Sequence, residues 1–379
     1  MKNEEHTKKS DTETLAESKG NVFMYDIAIV GLGPAGANLA RLLSQNFNVV
    51  AIDKSNQEGT GFCKPCGGLL APDAQKILAE FSLTLPKSIL VDPQIFSVKT
   101  IEIKNNIVCN YQRFYLNMDR AKFDNWMRSL IPSNVKILDS TCCTKIEQVA
   151  DGFELNVVKA DEKLAIKARI IIGADGANSI VRRSFYPELK MRKYLAIQQW
   201  FTDHHSVPFY SSIFDSDTTD CYAWGLSKDN NFIFGGAFKI KHAREKFEKL
   251  KQKMAQYGFK LENPQKTEAC LVLRPTIFQK FSQNKKGVFL VGEAAGFISP
   301  SSLEGISYAL QSSYELSNVL NKNKKNPNKS YKKIVRKIRR KLLLKNIKSP
   351  LIYFPLFRKI IMKSGIKSIS TILSNKLYS

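Results

Sequence analysis

The sequence predicts an α/β fold: a doubly wound, Rossmann-like domain with an inserted antiparallel β-sheet domain and a helical, basic C-terminal tail. Three observations predict it. An apolar run at residues 25–30 leads into a glycine-rich turn that opens a helical pattern. Two later apolar runs, 170–172 and 288–291, also end in a glycine beside a carboxylate. Strand-like, aromatic segments dominate the middle of the chain, so strand and helix alternate only at the two ends of the body.

Residues 25–30 read as a buried strand and 48–52 as a second. Between them, 34–45 read as a helix with small residues where it would meet a sheet. A loop rich in Gly, Pro and Cys follows at 54–68, and 72–81 is helical with proline at its start. Residues 95–103 and 107–111 alternate in strand fashion around Asn105-Asn106, a hairpin signal. A helix is expected at 119–130, strands and hairpins up to 172, and strand-like sequence from 196 to 238. Residues 242–257 form a charged helix that ends at Gly258. The strand at 288–291 precedes a helix at 305–320. No internal repeat is visible, and no long linker precedes Asn321.

Hydrophobic residues make up 43% of the 379, enough to bury a sizeable core and to exclude global disorder. The longest apolar run near the C-terminus, 351–357, has Pro355 inside it. A spanning helix needs about 20 apolar residues, so no membrane span is expected. Residues 1–20 are polar, without the apolar centre of a secretory signal, and are expected to be a disordered tail. Seven cysteines, an odd number, argue against a disulfide scaffold and for a reducing cytoplasm. The charge is uneven. Of 58 Lys and Arg, 18 lie in residues 321–379, which hold no acid, while the rest of the chain carries 40 against 34 acids. Three quarters of the +24 excess therefore belongs to the tail. Such a block meets anionic surfaces, lipid or nucleic acid.

Gly31-Leu32-Gly33-Pro34-Ala35-Gly36 follows the first strand and opens the first helix. Gly31 permits the tight turn, Gly33 lets a pyrophosphate approach the backbone, and Gly36 lets the helix close on the strand. The helix N-terminus then faces the phosphates. Asp53, at the end of the second strand, can accept hydrogen bonds from ribose hydroxyls. The second motif, Gly173-Ala174-Asp175-Gly176, is by itself only a strand-to-helix turn. The third is Gly292-Glu293-Ala294-Ala295-Gly296, with Pro300, Glu304, Gly305 and Ile306 leading into the next helix. A carboxylate there can bind ribityl hydroxyls. The helix N-terminus can set N–H donors beside a flavin pyrimidine ring and favour its anionic reduced form.

In this order and spacing the three motifs resemble the FAD-dependent oxidoreductases of the glutathione-reductase-like superfamily, in the branch that holds aromatic-ring hydroxylases and geranylgeranyl reductases. Two features resemble the geranylgeranyl reductases in particular. Lys64-Pro65-Cys66-Gly67-Gly68 is similar to that family's Cys-Gly-Gly loop. Tyr222-Ala223-Trp224-Gly225-Leu226-Ser227-Lys228, with Gly235-Gly236 after it, is similar to its Tyr-x-Trp-x-Phe-Pro segment. The resemblance covers roughly residues 22–320. It implies FAD held by Gly31, Gly33, Ala35, Gly36, Asp53, Arg120, Asp175, Gly292, Glu293, Gly305 and Ile306. Arg120 is the match to an arginine that the family uses beside the cofactor. It implies Cys66 as a catalytic thiol in a cavity lined by Gly67, Gly68, Tyr222 and Trp224. Four positions depart from the family: Glu293 stands for its Asp, Leu303 for its Gly, and Leu226-Ser227 for its Phe-Pro. Glu293 keeps the charge with a longer reach, and Leu303 narrows the space near the flavin. The implied division is an FAD-binding domain of 21–190 plus 282–320, a substrate-binding β domain of 191–281, and a basic helical region of 321–379, with 95–115 able to pair with the substrate sheet.

The same residues have plainer readings. Cys66 can be an inert buried thiol, and Arg120 a surface helix residue. Tyr222 and Trp224, two apart and so on one strand face, can be plain core. Cys63-x-x-Cys66 can be a redox pair; with no second CxxC and no HxxxH pair, no metal site is expected. His204-His205 reads as a solvated turn. In the tail, Tyr331, Ile334, Val335, Ile338 and Leu342 recur at helical spacing opposite Lys and Arg. That pattern suits an anionic membrane surface, or a helical lobe packed on the body with its basic face in solvent; the two are compatible. Nucleic acid is disfavoured, because no recognition motif accompanies the charge.

The expected activity is reduction of a carbon–carbon double bond in an isoprenoid or similar lipophilic substrate, by hydride transfer from reduced flavin. NAD(P)H, bound transiently, or a small electron-donor protein would supply the electrons. One alternative is a flavin-dependent monooxygenase or halogenase on the same fold, although the halogenase's lysine and Trp-x-Trp-x-Ile-Pro segment are absent. Another is a basic membrane- or RNA-binding flavoprotein without turnover. The expected location is cytoplasmic, with peripheral attachment at the inner face of the membrane through the tail as a further option.

Overall fold

The computed structural model describes residues 24–56, 64–203, 210–277, 281, 285–322 and 324–369. Its strands are β1 (Met24–Val30), β2 (Val49–Ile52), β3 (Leu69–Leu70), β4 (Ile95–Glu102), β5 (Ile107–Asn117), β6 (Val135–Leu138), β7 (Thr141–Val149), β8 (Gly152–Lys159), β9 (Glu162–Gly173), β10 (Lys193–Thr202), β11 (Tyr210–Phe214), β12 (Ala223–Lys228), β13 (Asn231–Lys239), β14 (Lys266–Leu273), β15 (Val288–Leu290) and β16 (Ser368–Ile369). Its α-helices are α1 (Pro34–Leu42), α2 (Pro72–Glu80), α3 (Arg120–Ser129), α4 (Ile180–Phe185), α5 (Ala243–Met254), α6 (Ile306–Asn321), α7 (Pro327–Ile334), α8 (Arg336–Tyr353) and α9 (Pro355–Lys363).

The last four residues of β1 and all of β2 and β15 are buried, as strands covered on both faces must be. With β6 and β9 they form a parallel sheet in the order β6-β2-β1-β9-β15. β9 carries β1 along one edge. Along the other, its first half pairs with β8 and its last three residues with β15, so an antiparallel meander of β7, β8 and β9 leaves the sheet there. α1 lies against α6. Buried Asn38 ties the two helices, donating to Leu310 O at 3.2 Å and Ser313 Oγ at 2.8 Å.

The second sheet runs β14-β10-β13-β12-β11-β4-β5-β16, antiparallel except where β11 meets β4. The β4–β5 hairpin, distant in sequence from the rest, thus completes this sheet. Its two faces alternate residue by residue, as a strand's period of two requires. Phe232, Phe234 and Phe238 pack with Phe247 and Leu250 of α5. Trp224, Ile233 and Ala237 face the other way, in one cluster with Ile298 from the segment after the third glycine motif. The glycine at 235 has a tertiary reason. It pairs with Trp224 across the ladder, and a Cβ there would stand 2.6 Å from the indole ring.

The C-terminal region packs on the body as a helical lobe, one of its two compatible readings. Tyr331, Val335, Ile338 and Leu342 are at most 2% exposed and belong to the core of the parallel sheet, with Ile334 partly buried beside them. Tyr331 Oη donates to Leu290 O at 3.1 Å. The stripe that the sequence offers to a membrane is therefore turned inward, because it covers β15 and α6. α9 is anchored by an ion pair of 3.0 Å between Arg358 and the fully buried Glu102 of β4, and β16 pairs with β5. Among the described residues, no helix is long and apolar enough to cross a membrane.

Candidate functional site

The three glycine–acid motifs meet at the C-terminal ends of the parallel strands. That is the crevice where such sheets bind ligands. Gly31, at φ +96°, lies so close to the second motif that a Cβ would stand 2.7 Å from Ala174 O. A Cβ on Gly36 would be 1.9 Å from Gly31 O, which is why the first helix can close on its turn only with glycine there. A Cβ on Gly292 would stand 3.0 Å from that of Ala35, and the Gly292 N–H donates to Ser312 Oγ at 2.9 Å. Arg182 joins the second motif to the third, donating to Ala294 O at 2.7 Å and to Ala177 O. Asp53 accepts from Leu32 N and, at 2.7 Å, from Ser55 N, with Arg128 Nη2 3.5 Å away.

A dinucleotide fits these residues. Where a Cβ on Gly33 would point, nothing lies within 4 Å, and Gly33 is the N-cap of α1. Space is thus left at a helix N-terminus, which favours phosphate. Asp175 is half-buried beside Gly31. Its Oδ2 accepts from Ile180 N at 2.6 Å, while Oδ1 has no partner among the described residues. Burial raises its carboxyl above the usual range. Gly305 and Ile306 open α6, and Glu304 caps that helix by accepting from Ser307 N at 2.7 Å and Ser307 Oγ at 2.6 Å.

Residues 64–68 bridge the two sheets. Lys64 pairs with Glu293, whose other oxygen accepts from Leu273 N at 2.8 Å. Burial alone would depress the Lys64 ammonium, but the Glu293 carboxylate holds it above the ordinary lysine value. Cys270 Sγ donates to Pro65 O at 3.8 Å. At the other end, Gly68 O accepts from Met118 N at 2.9 Å and from Lys228 Nζ at 3.3 Å. Lys228 also donates to Asn117 Oδ1 and Met118 O, both at 2.6 Å, and burial pulls its pKa down to about 8. Gly67 faces the indole of Trp224, 3.7 Å from where a Cβ would be. Cys66 is a free thiol that accepts from Gly68 N at 3.4 Å.

Arg120 opens α3 and is largely buried, 3.0 Å from Asp124. Burial opposes its charge, and the Asp124 and Cys66 side chains more than restore it. The Tyr222 ring is tilted against that of Trp224, centroids 5.8 Å apart, and its hydroxyl donates to Ser302 O at 2.7 Å. Burial keeps the phenols of Tyr222 and Tyr210 neutral well above their usual range. Trp224 Nε1 is buried without a partner among the described residues. Leu303 packs in this cluster at φ +53°, a left-handed conformation in which glycine would be unstrained.

Sequence reasoning missed Arg182 as a site residue and quoted Lys64 and Lys228 only within their motifs. Their partners lie 110, 112 and 229 residues away, and no local pattern marks such pairs. Cys63, His204 and His205 lie outside the described residues, as does the 1–20 segment.

No protein-family model matches the chain. Among solved structures, a geranylgeranyl bacteriochlorophyll reductase-like protein from Thermoplasma acidophilum is similar, with a TM-score of 0.74 and 18% identity over 87% of each chain. The flavin-dependent halogenase CmlS is similar with a TM-score of 0.63 and 17% identity, over 84% of this chain and 62% of that one. The fold is therefore that of FAD-dependent oxidoreductases. Protein CbrA of Escherichia coli (strain K12) is 50% identical over 347 residues, 91% of this chain and 98% of that protein. With half of its residues shared along nine tenths of its length, the chain belongs to the CbrA family.

Proposed function

We propose that this chain is an FAD-dependent reductase that saturates carbon–carbon double bonds of an isoprenoid or similar lipophilic substrate. The observation that carries the reading is the seating of the Cys66-Gly67-Gly68 loop against Trp224, at the junction of the two sheets. When bound, reduced FAD supplies the hydride. The opening at Gly33 and the N-terminus of α1 would take its pyrophosphate, and Asp53 its ribose. Arg120 would add a cation beside it. Tyr222 and Trp224 would line the path of an apolar chain, and their packing would exclude water. Cys66 would hold a proton at Sγ for the carbon next to the one reduced. The electrons would come from NAD(P)H or a small redox protein.

The test is anaerobic turnover. Reduced holoprotein should saturate a double bond in a lipid extract, one reductant consumed per bond, as read by mass spectrometry. The likeness to a flavin-dependent halogenase favours monooxygenase or halogenase chemistry as the second reading. Oxygen label from labelled O2 appearing in the product would move the protein to the monooxygenase class.

A further inference from the structure

We propose that α8 and α9 form a docking surface for an anionic lipid bilayer. α8 is apolar on two sides. Ile338 and Leu342 turn into the core, while Leu344, Ile347 and Leu351 are 46–60% exposed. α9 is inside out. Its buried residues are Arg358 and Met362, whereas Leu356, Phe357 and Ile360 are 43–58% exposed. A helix that hides a paired arginine and presents large apolar side chains is arranged for an apolar partner outside the chain.

The charge selects the partner. Lys348 on α8 and Lys359 and Lys363 on α9 add cations to these two helices, Lys341 and Lys345 being paired with Asp73 of the body, and residues 321–379 contain no acid. Two copies joined through it would bring like-charged surfaces together with no acid from either region to pair them. An anionic bilayer satisfies both features: the apolar side chains enter the headgroup boundary and the cations meet the phosphates. The surface also adjoins the candidate cavity. Tyr353, the last residue of α8, donates its hydroxyl to Ser301 O, and its ring meets Phe214, whose ring lies 6.4 Å from that of Tyr222.

The experiment uses the full-length holoprotein and sedimentation with vesicles of phosphatidylcholine, with or without phosphatidylglycerol. Binding should require phosphatidylglycerol and fall as salt is raised. The triple variant Ile347→Ser, Phe357→Ser, Ile360→Ser should bind at least about tenfold more weakly, with the flavin absorbance and gel-filtration size of the wild type. Equal binding to both vesicles, or unchanged binding by the variant, would overturn the proposal. So would a wild-type dimer that the variant dissociates, because a second copy would then cover the face. Should the triple variant misfold, Leu356→Trp keeps the test open: quenching of the added indole by brominated anionic lipid is expected, and none would refute it. No substrate is present and no turnover is read, so failure here leaves the reductase reading standing.

Discussion

Two glycines three residues apart separate folding from cofactor binding: Gly33→Ala and Gly36→Ala should fail in opposite ways. Gly33 has φ −66° and ψ −172°, a conformation alanine adopts freely, and its Cβ would meet nothing within 4 Å. The apoprotein therefore loses no contact. The unfolded chain loses some freedom, which stabilises the fold by about 0.4–1 kcal/mol, a rise in Tm of no more than about 4 °C. The added methyl would enter the space left at the N-terminus of α1. If the pyrophosphate lies there, FAD affinity should fall at least about 100-fold, close to 3 kcal/mol. In Gly36→Ala, by contrast, the Cβ would stand 1.9 Å from Gly31 O, a backbone atom that cannot swing away. That variant should unfold or fail to accumulate. The assays are thermal denaturation of apoprotein and titration with FAD followed by flavin fluorescence. Wild-type FAD affinity in Gly33→Ala, or a destabilised Gly33→Ala apoprotein, would refute the placement.

Lys228 sets a pH dependence. Its folded pKa of about 8 lies below the ordinary 10.5, so between those values the unfolded chain binds more protons and stability rises with pH. Wild type should therefore gain on Lys228→Met between pH 8 and 10, by about 3 kcal/mol at most, in parallel denaturation curves; a constant difference would contradict the assignment. Cys66→Ser should keep FAD bound and lower turnover, and Cys63→Ser should do less, whereas equal losses with a changed free-thiol count would indicate a dithiol pair. Arg358→Ala leaves the buried Glu102 without its ion-pair partner, and should cost about 3–5 kcal/mol in chemical denaturation; a loss under 1 kcal/mol would mean that α9 is not held by this pair.

The glycine motifs were legible because their physics is local. Gly31, Gly33 and Gly36 sit within one turn, and strand, turn and helix follow one another along the chain. The alternation that separates Phe232 and Phe234 from Ile233 was equally visible, since a strand's period is a local property. Periodicity tells that a residue turns inward but never what it meets. That Lys64 reaches Glu293, that Lys228 holds the backbone of Gly68, and that Gly235 makes room for Trp224 were decided by sheet registers joining distant segments. The C-terminal region shows the limit most clearly. Tyr331, Ile338 and Leu342 carry the same amphipathic signal whether they face lipid or core, and the charge of residues 321–379 was plain from composition. Only the tertiary packing turned that stripe onto β15 and left Leu344, Ile347 and Ile360 outside, because burial depends on which surface is available to cover, and that surface is assembled from the rest of the chain.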